Sequence, residues 1–153
     1  MQLKDASLFR QQAFIDGTWL DADGGLTIKV NNPATGEIIG TVPKMGAVET
    51  RRAIEAADRA LPAWRSLTAS KRGALLRALG DVLGKHALRL AEIEVRDNGK
   101  LLAEMSQQTE YLRQWYYYFG GLADKIEGAV LPIDKPDNFT YTQYEPIGVV
   151  AAI

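Results

Sequence analysis

The run Ile147-Gly148-Val149-Val150-Ala151-Ala152-Ile153 is apolar without interruption. A strand with one wet face alternates apolar and polar residues, so a continuous run predicts a strand covered on both faces, as in a parallel sheet. Parallel neighbours are reached only through crossovers of about a dozen residues or more, usually helical. No residue follows Ile153 in the sequence, and a lone strand of this kind would expose a pairing edge and two apolar faces. The expectation is that the chain is truncated or that another polypeptide completes its sheet. Length alone suggests one ordinary domain, since 153 residues can bury a sizeable core; the terminal run overrides that reading.

Upstream of that run the pattern changes twice. Residues up to about 45 alternate between turn signals without a helical period, which predicts a small antiparallel meander. Its sharpest element is Asp16-Gly17 between Ala13-Phe14-Ile15 and Thr18-Trp19-Leu20, a dipeptide suited to the positive φ angles of a two-residue hairpin turn. From about Ala47 the period is helical: Ala53, Ile54, Ala57, Leu61 and Trp64 share a face, and Pro62 is expected to kink or end the helix. A second helix is predicted from an N-cap at Thr68, with Leu75, Leu76, Leu79, Val82 and Leu83 as its buried stripe. An interruption is expected at Gly84 and a stop at Asn98-Gly99. A third helix, about Leu101 to Asp124, presents Leu101, Met105, Leu112, Trp115, Phe119 and Leu122, broken by Gln108. Ala129 to Ile133 and Asn138 to Tyr144 then read as an exposed two-stranded ribbon.

Lys and Arg total 18 against 19 for Asp and Glu, so no basic field invites nucleic acid. No apolar run approaches the roughly 20 residues that span a bilayer. The start, Met-Gln-Leu-Lys-Asp, lacks a basic segment followed by an apolar one, so no membrane partner and a cytoplasmic location are expected. The chain holds no cysteine and one histidine, His86. A thiolate nucleophile is therefore excluded from these residues, and a Ser-His-Asp triad or multi-His metal site lacks its usual parts. His86 reads as a helix-surface residue, and the run Trp115 to Phe119 as core or subunit packing, because few Lys or Arg interleave it. Gly120-Gly121 sits in a helical stripe rather than between strand and helix, which predicts close helix packing rather than a phosphate loop. Glu92 and Glu94, two apart on a helix, point to different faces and cannot share a proton.

Several segments fall in one recognisable order: Leu8-Phe9-Arg10-Gln11-Gln12, Phe14-Ile15-Asp16-Gly17-Thr18-Trp19, Asn32-Pro33-Ala34-Thr35-Gly36-Glu37, Val42-Pro43-Lys44-Met45-Gly46 and Leu61-Pro62-Ala63-Trp64-Arg65. Asp97-Asn98-Gly99-Lys100, Gly128, Glu145-Pro146-Ile147-Gly148-Val149 and the terminal Ala-Ala-Ile complete the series. This set, spanning nearly the whole chain, resembles the aldehyde dehydrogenase superfamily, most nearly its succinate-semialdehyde dehydrogenase branch.

The resemblance implies an α/β fold: a small β-meander and three helices opening a Rossmann-like cofactor domain (1–128), an oligomerisation ribbon (129–147) and the first strand of the dinucleotide-binding sheet (148–153). It implies a parent enzyme that oxidises a small aldehyde, such as succinate semialdehyde, to its acid with NAD or NADP, as a homo-oligomer. Family chemistry uses a Cys thiolate to attack the aldehyde, hydride transfer to nicotinamide, and a Glu-activated water. The catalytic Cys and Glu are absent here, so the chain alone is expected to be inactive. Only minor sites carry over: the Asn31 carbonyl and the Asp97 carboxylate match positions that hold a structural alkali cation, and Ile153 matches a residue walling the cofactor. The competing reading for Asp97 is a helix-terminal turn residue. An alternative for the whole chain is a short interaction module that pairs with a full-length subunit by strand addition.

Overall fold

The structure, a computed structural model, describes residues 6–152. After a 3-10 turn at Ala6–Leu8 come four strands in two separate antiparallel pairs, β1 (Ala13–Ile15) with β2 (Thr18–Leu20) and β3 (Thr27–Asn31) with β4 (Ile38–Pro43). The predicted meander is thus two hairpins that share no edge. Asp16 and Gly17 take φ angles of 51° and 77°, which matches the twist of a two-residue turn and explains why no bulkier residue stands there. Across this hairpin Phe14 faces Trp19, with ring centroids 5.1 Å apart. In the second hairpin a register shift falls between Val30 and Asn31.

The helices are α1 (Ala47–Ser66), α2 (Ala69–Asn98) and α3 (Leu102–Leu122). At the start of α1 the cap residue is Gly46, which has no side chain to offer; Glu49 instead reaches back to the Gly46 N–H at 3.0 Å. Its other oxygen accepts the Asp23 N–H at 3.2 Å, which ties the loop after β2 to the helix. Pro62 does not end the helix: α1 runs on to Ser66. In the last turns a proline removes a single intrahelical hydrogen bond, and the helix accommodates that loss. Thr68 caps α2 as predicted, accepting the Lys71 N–H at 3.4 Å, and Gly99 ends it in the left-handed region at φ 76°.

The predicted interruption at Gly84 is absent, because the missing side chain makes room for a neighbour rather than a break. A Cβ there would lie 3.3 Å from Arg113 Cδ on α3. The predicted stripes of α2 and α3 hold only in part: Met105 is buried and Leu76, Leu83, Leu112 and Leu122 are half-buried, but the other members are not. Against α3, helix α2 buries Gly73, Gly80, Ala87 and Ala91, while Leu75, Leu79 and Val82 are exposed. Helix α3 answers with Met105, Thr109 and Gly120, and leaves Trp115 and Phe119 outside. Small residues win the seam because they let the two backbones approach: a Cβ on Gly120 would sit 2.8 Å from the Gly73 carbonyl oxygen, inside van der Waals contact. Close packing at Gly120 is therefore as predicted, whereas Gly121 beside it meets open space.

Beyond α3 the predicted ribbon is present but short: β5 (Val130–Leu131) pairs antiparallel with β6 (Thr140–Tyr141). The apolar run that follows forms no strand through residue 152, and Ile147 is 95% exposed. The physical reason is that a strand needs hydrogen-bonded neighbours, and the described residues supply none for this segment. Among the described residues no large side chain is fully buried.

Candidate functional site

At one corner of the structure the turn between β3 and β4 meets the end of α2, where Pro33 lies beside Gly99. Asn32 builds that turn: its side-chain oxygen accepts the Ala34 N–H at 2.9 Å and its carbonyl accepts the Gly36 N–H at 2.7 Å. Pro33 then lies against Gly99, with its Cγ 2.8 Å from the place a Cβ on Gly99 would take. Only glycine fits there on both grounds, contact and positive φ. Asp97 lines a cleft of about 200 Å³ together with Phe9, Arg10, Gln11, Val30, Thr41 and Glu94. Gln11 holds one wall of this cleft by accepting the Thr41 N–H at 2.8 Å.

Asn31 follows Val30 at the end of β3 and is therefore one residue from the cleft that Asp97 enters. A carbonyl and a carboxylate supply at most three oxygens, fewer than the roughly six that a hard cation takes. Among the described residues no group of three or more His, Cys, Asp or Glu could hold a metal ion. Any cation here would need further donors. Ile153, matched to the cofactor wall, lies outside the described residues.

The dinucleotide fares similarly. Among the described residues a single strand leads directly into a helix, β4 into α1, and its connection carries one glycine, Gly46. That helix start is already occupied by the Glu49 carboxylate. Hydrogen bonds from the N–H groups of Glu49, Gly46 and Asp23 hold this carboxyl below the ordinary range, so it stays charged and would repel a pyrophosphate. The described residues do not fit the cofactor.

Two features were not anticipated from the sequence. A cavity of about 590 Å³ opens between the end of α1, the start of α2 and the chain leaving β6, lined by Leu61, Trp64, Arg65, Arg72, Tyr144 and Glu145 among others. Arg72 donates to the Leu67 carbonyl between the helices. These residues come from three elements with no shared motif, so no spacing signals them. The second is a clasp between α2 and α3: Arg113 pairs with Asp81 at 2.7 Å and lies over the Tyr117 ring, whose hydroxyl donates to Asp81 at 2.8 Å. Its signal was present in Gly84, read as a break. His86 is half-buried rather than on the surface, and its Nδ1 has no hydrogen-bond partner; Glu92 is buried while Glu94 is exposed, on different faces as expected.

The chain has no cysteine, and its one histidine, His86, lies within α2. Comparison with known proteins supplies the wider context. Residues 19–153 match the aldehyde dehydrogenase family. Over all 153 residues the chain is 56% identical to a glutarate-semialdehyde dehydrogenase of Pseudomonas aeruginosa and 46% identical to an NADP(+) succinate-semialdehyde dehydrogenase of Escherichia coli, covering 32% of each. It thus spans about a third of the length of the curated relatives it matches. Among solved structures, a succinate-semialdehyde dehydrogenase from Burkholderia pseudomallei superposes with a TM-score of 0.85 at 42% identity, over 91% of this chain and 29% of that one. By sequence and by fold, the chain belongs to the aldehyde dehydrogenase family.

Proposed function

We propose that this chain is the N-terminal part of an NAD- or NADP-dependent dehydrogenase that oxidises a small semialdehyde bearing a carboxylate at its far end, such as glutarate or succinate semialdehyde, to the dicarboxylic acid. The observation that carries this reading is the 56% identity to a glutarate-semialdehyde dehydrogenase along the entire chain. The thiolate that attacks the aldehyde, the Glu that activates water and the cofactor site belong to polypeptide other than the residues described here. The part described supplies the α2–α3 pair and the ribbon over 129–147, the latter as an oligomerisation element joining subunits. Among the described residues no helix is long and apolar enough to cross a membrane; the cytoplasmic location is part of the same proposal. Asn31 and Asp97 contribute two donors to a structural alkali cation completed by further oxygens.

The test is an assay of NAD and NADP reduction with both semialdehydes. The 153-residue chain is expected to give no turnover, and the polypeptide extended to the length of its relatives is expected to oxidise at least one. Turnover by the 153-residue chain, or none by an extended polypeptide that carries a Cys and a Glu, overturns the proposal. For the cation, potassium or sodium is expected to raise the Tm of the extended polypeptide, and Asp97→Asn to abolish that response. An unchanged response in the variant removes Asp97 from the site.

A further inference from the structure

Four asparagines occur in the chain, and Asn98 alone is followed by glycine. Without a side chain on the following residue the backbone nitrogen is unhindered and can close on the asparagine Cγ. In that step the Gly99 nitrogen bonds to Asn98 Cγ and gives up its proton to solvent, while the Cγ–Nδ2 bond breaks and the leaving nitrogen takes a proton from solvent to depart as ammonia. Water then opens the cyclic imide at either carbonyl, giving aspartate or isoaspartate at position 98. Every reactant besides the chain is water, and both residues are exposed. Burial therefore does not protect this site.

What restrains it is the cap of α2. The attacking nitrogen is engaged, since the Gly99 N–H donates to the Val95 carbonyl at 2.9 Å. The side chain it must reach is tied at both ends: Asn98 Nδ2 donates to Glu94 Oε1 at 2.8 Å, and Oδ1 accepts the Lys100 N–H at 2.9 Å. Pro33 braces the turn from outside by its contact with Gly99. Ring closure requires the Gly99 N–H to leave the Val95 carbonyl and the Asn98 side chain to turn away from Glu94, so the reaction proceeds through local opening of the last turn of α2.

We propose that Asn98 is a spontaneous deamidation site whose rate is set by the α2 C-terminal cap: closed while the cap is formed, open once it frays. The change is one-way. It places a new carboxylate four residues after Glu94, beside Asp97 and at the negative end of α2, where like charge and the helix dipole both oppose it. An isoaspartate link also lengthens the backbone within the cap.

Peptide mapping by mass spectrometry after incubation at mildly alkaline pH tests this. The samples are the folded chain, the chain unfolded in denaturant, Glu94→Ala and Glu94→Gln. Conversion at position 98 is expected to be about tenfold or more slower in the folded than in the unfolded chain. Glu94→Ala is expected to speed it severalfold, while Glu94→Gln, which keeps the acceptor, stays near the parent rate. Asn138, read in the same digests, controls for general loosening and is expected to respond to neither variant. Equal rates in folded and unfolded chain, no conversion at position 98 when unfolded, or no acceleration in Glu94→Ala each overturn the proposal.

Discussion

The α2–α3 pair and the segment from Val130 to residue 152 are both rich in apolar residues, yet they behave in opposite ways. In the pair, Ala91 is 0% exposed and two backbones meet at Gly73 and Gly120. In the terminal segment the strands are two residues each, and Val150 is 74% exposed. The difference is where each finds its partner. A helix satisfies its own backbone, and a short connection returns the next helix along it, so the pair closes locally. A strand satisfies its backbone only through neighbours, and the described residues provide none for the terminal run. Hydrophobic content is similar; closure within the chain is not.

That contrast can be broken first at the seam. Gly73→Leu places a side chain into the Gly120 backbone, and overpacking of this kind is expected to cost about 3 kcal/mol or to part the helices. Denaturant unfolding followed by helical circular dichroism measures it. A loss below about 0.5 kcal/mol would mean the seam is looser than described. A smaller effect is expected at the start of α1. Glu49 and Asp23 both have carboxyl groups held below their ordinary range, Glu49 by the N–H groups around it and Asp23 by its hydrogen bond to Arg52. Depressed folded-state values contribute stability above the unfolded carboxylate pKa of about 4, and that stability is lost as pH falls through the folded values. The Tm is therefore expected to drop on acidification below about pH 5, with a shallower drop in Glu49→Gln. An identical slope in the variant would remove Glu49 from the account.

Next in size, Gly121→Ala sharpens the comparison from inside α3. Its added methyl meets open space, and replacing a helical glycine is expected to stabilise by about 0.5–1 kcal/mol, opposite in sign to Gly73→Leu one helix away. Destabilisation would show that the neighbouring glycine also faces a backbone. The smallest effect is expected at Ile147→Ser, within about 0.5 kcal/mol of zero in the 153-residue chain, because the side chain it removes contacts little. A large loss there would mean the terminal run is already packed.

Local chemistry was legible in the sequence and long-range choice was not. The Asp16-Gly17 turn, the Thr68 cap and the Asn98-Gly99 stop each depend on one or two residues and their allowed φ angles, and all three stand where predicted. Which face of α2 is buried depends on the partner's backbone. The stripe Leu75, Leu76, Leu79, Val82 and Leu83 predicts the buried face, yet only Leu76 and Leu83 are half-buried, and the glycines and alanines allow the closer approach and take the seam. At the candidate site, Asp97 was found by resemblance and does enter a cleft. The cavity that Arg65 and Arg72 line was not legible, because only the fold brings Tyr144 and Glu145 back to the junction of α1 and α2.

Amide hydrogen exchange on the 153-residue chain tests the central contrast most directly. Exchange should be slow along α2 and α3 between residues 73 and 120 and fast throughout 129–152. Comparable protection in the two regions, or none in the helical pair, would contradict it.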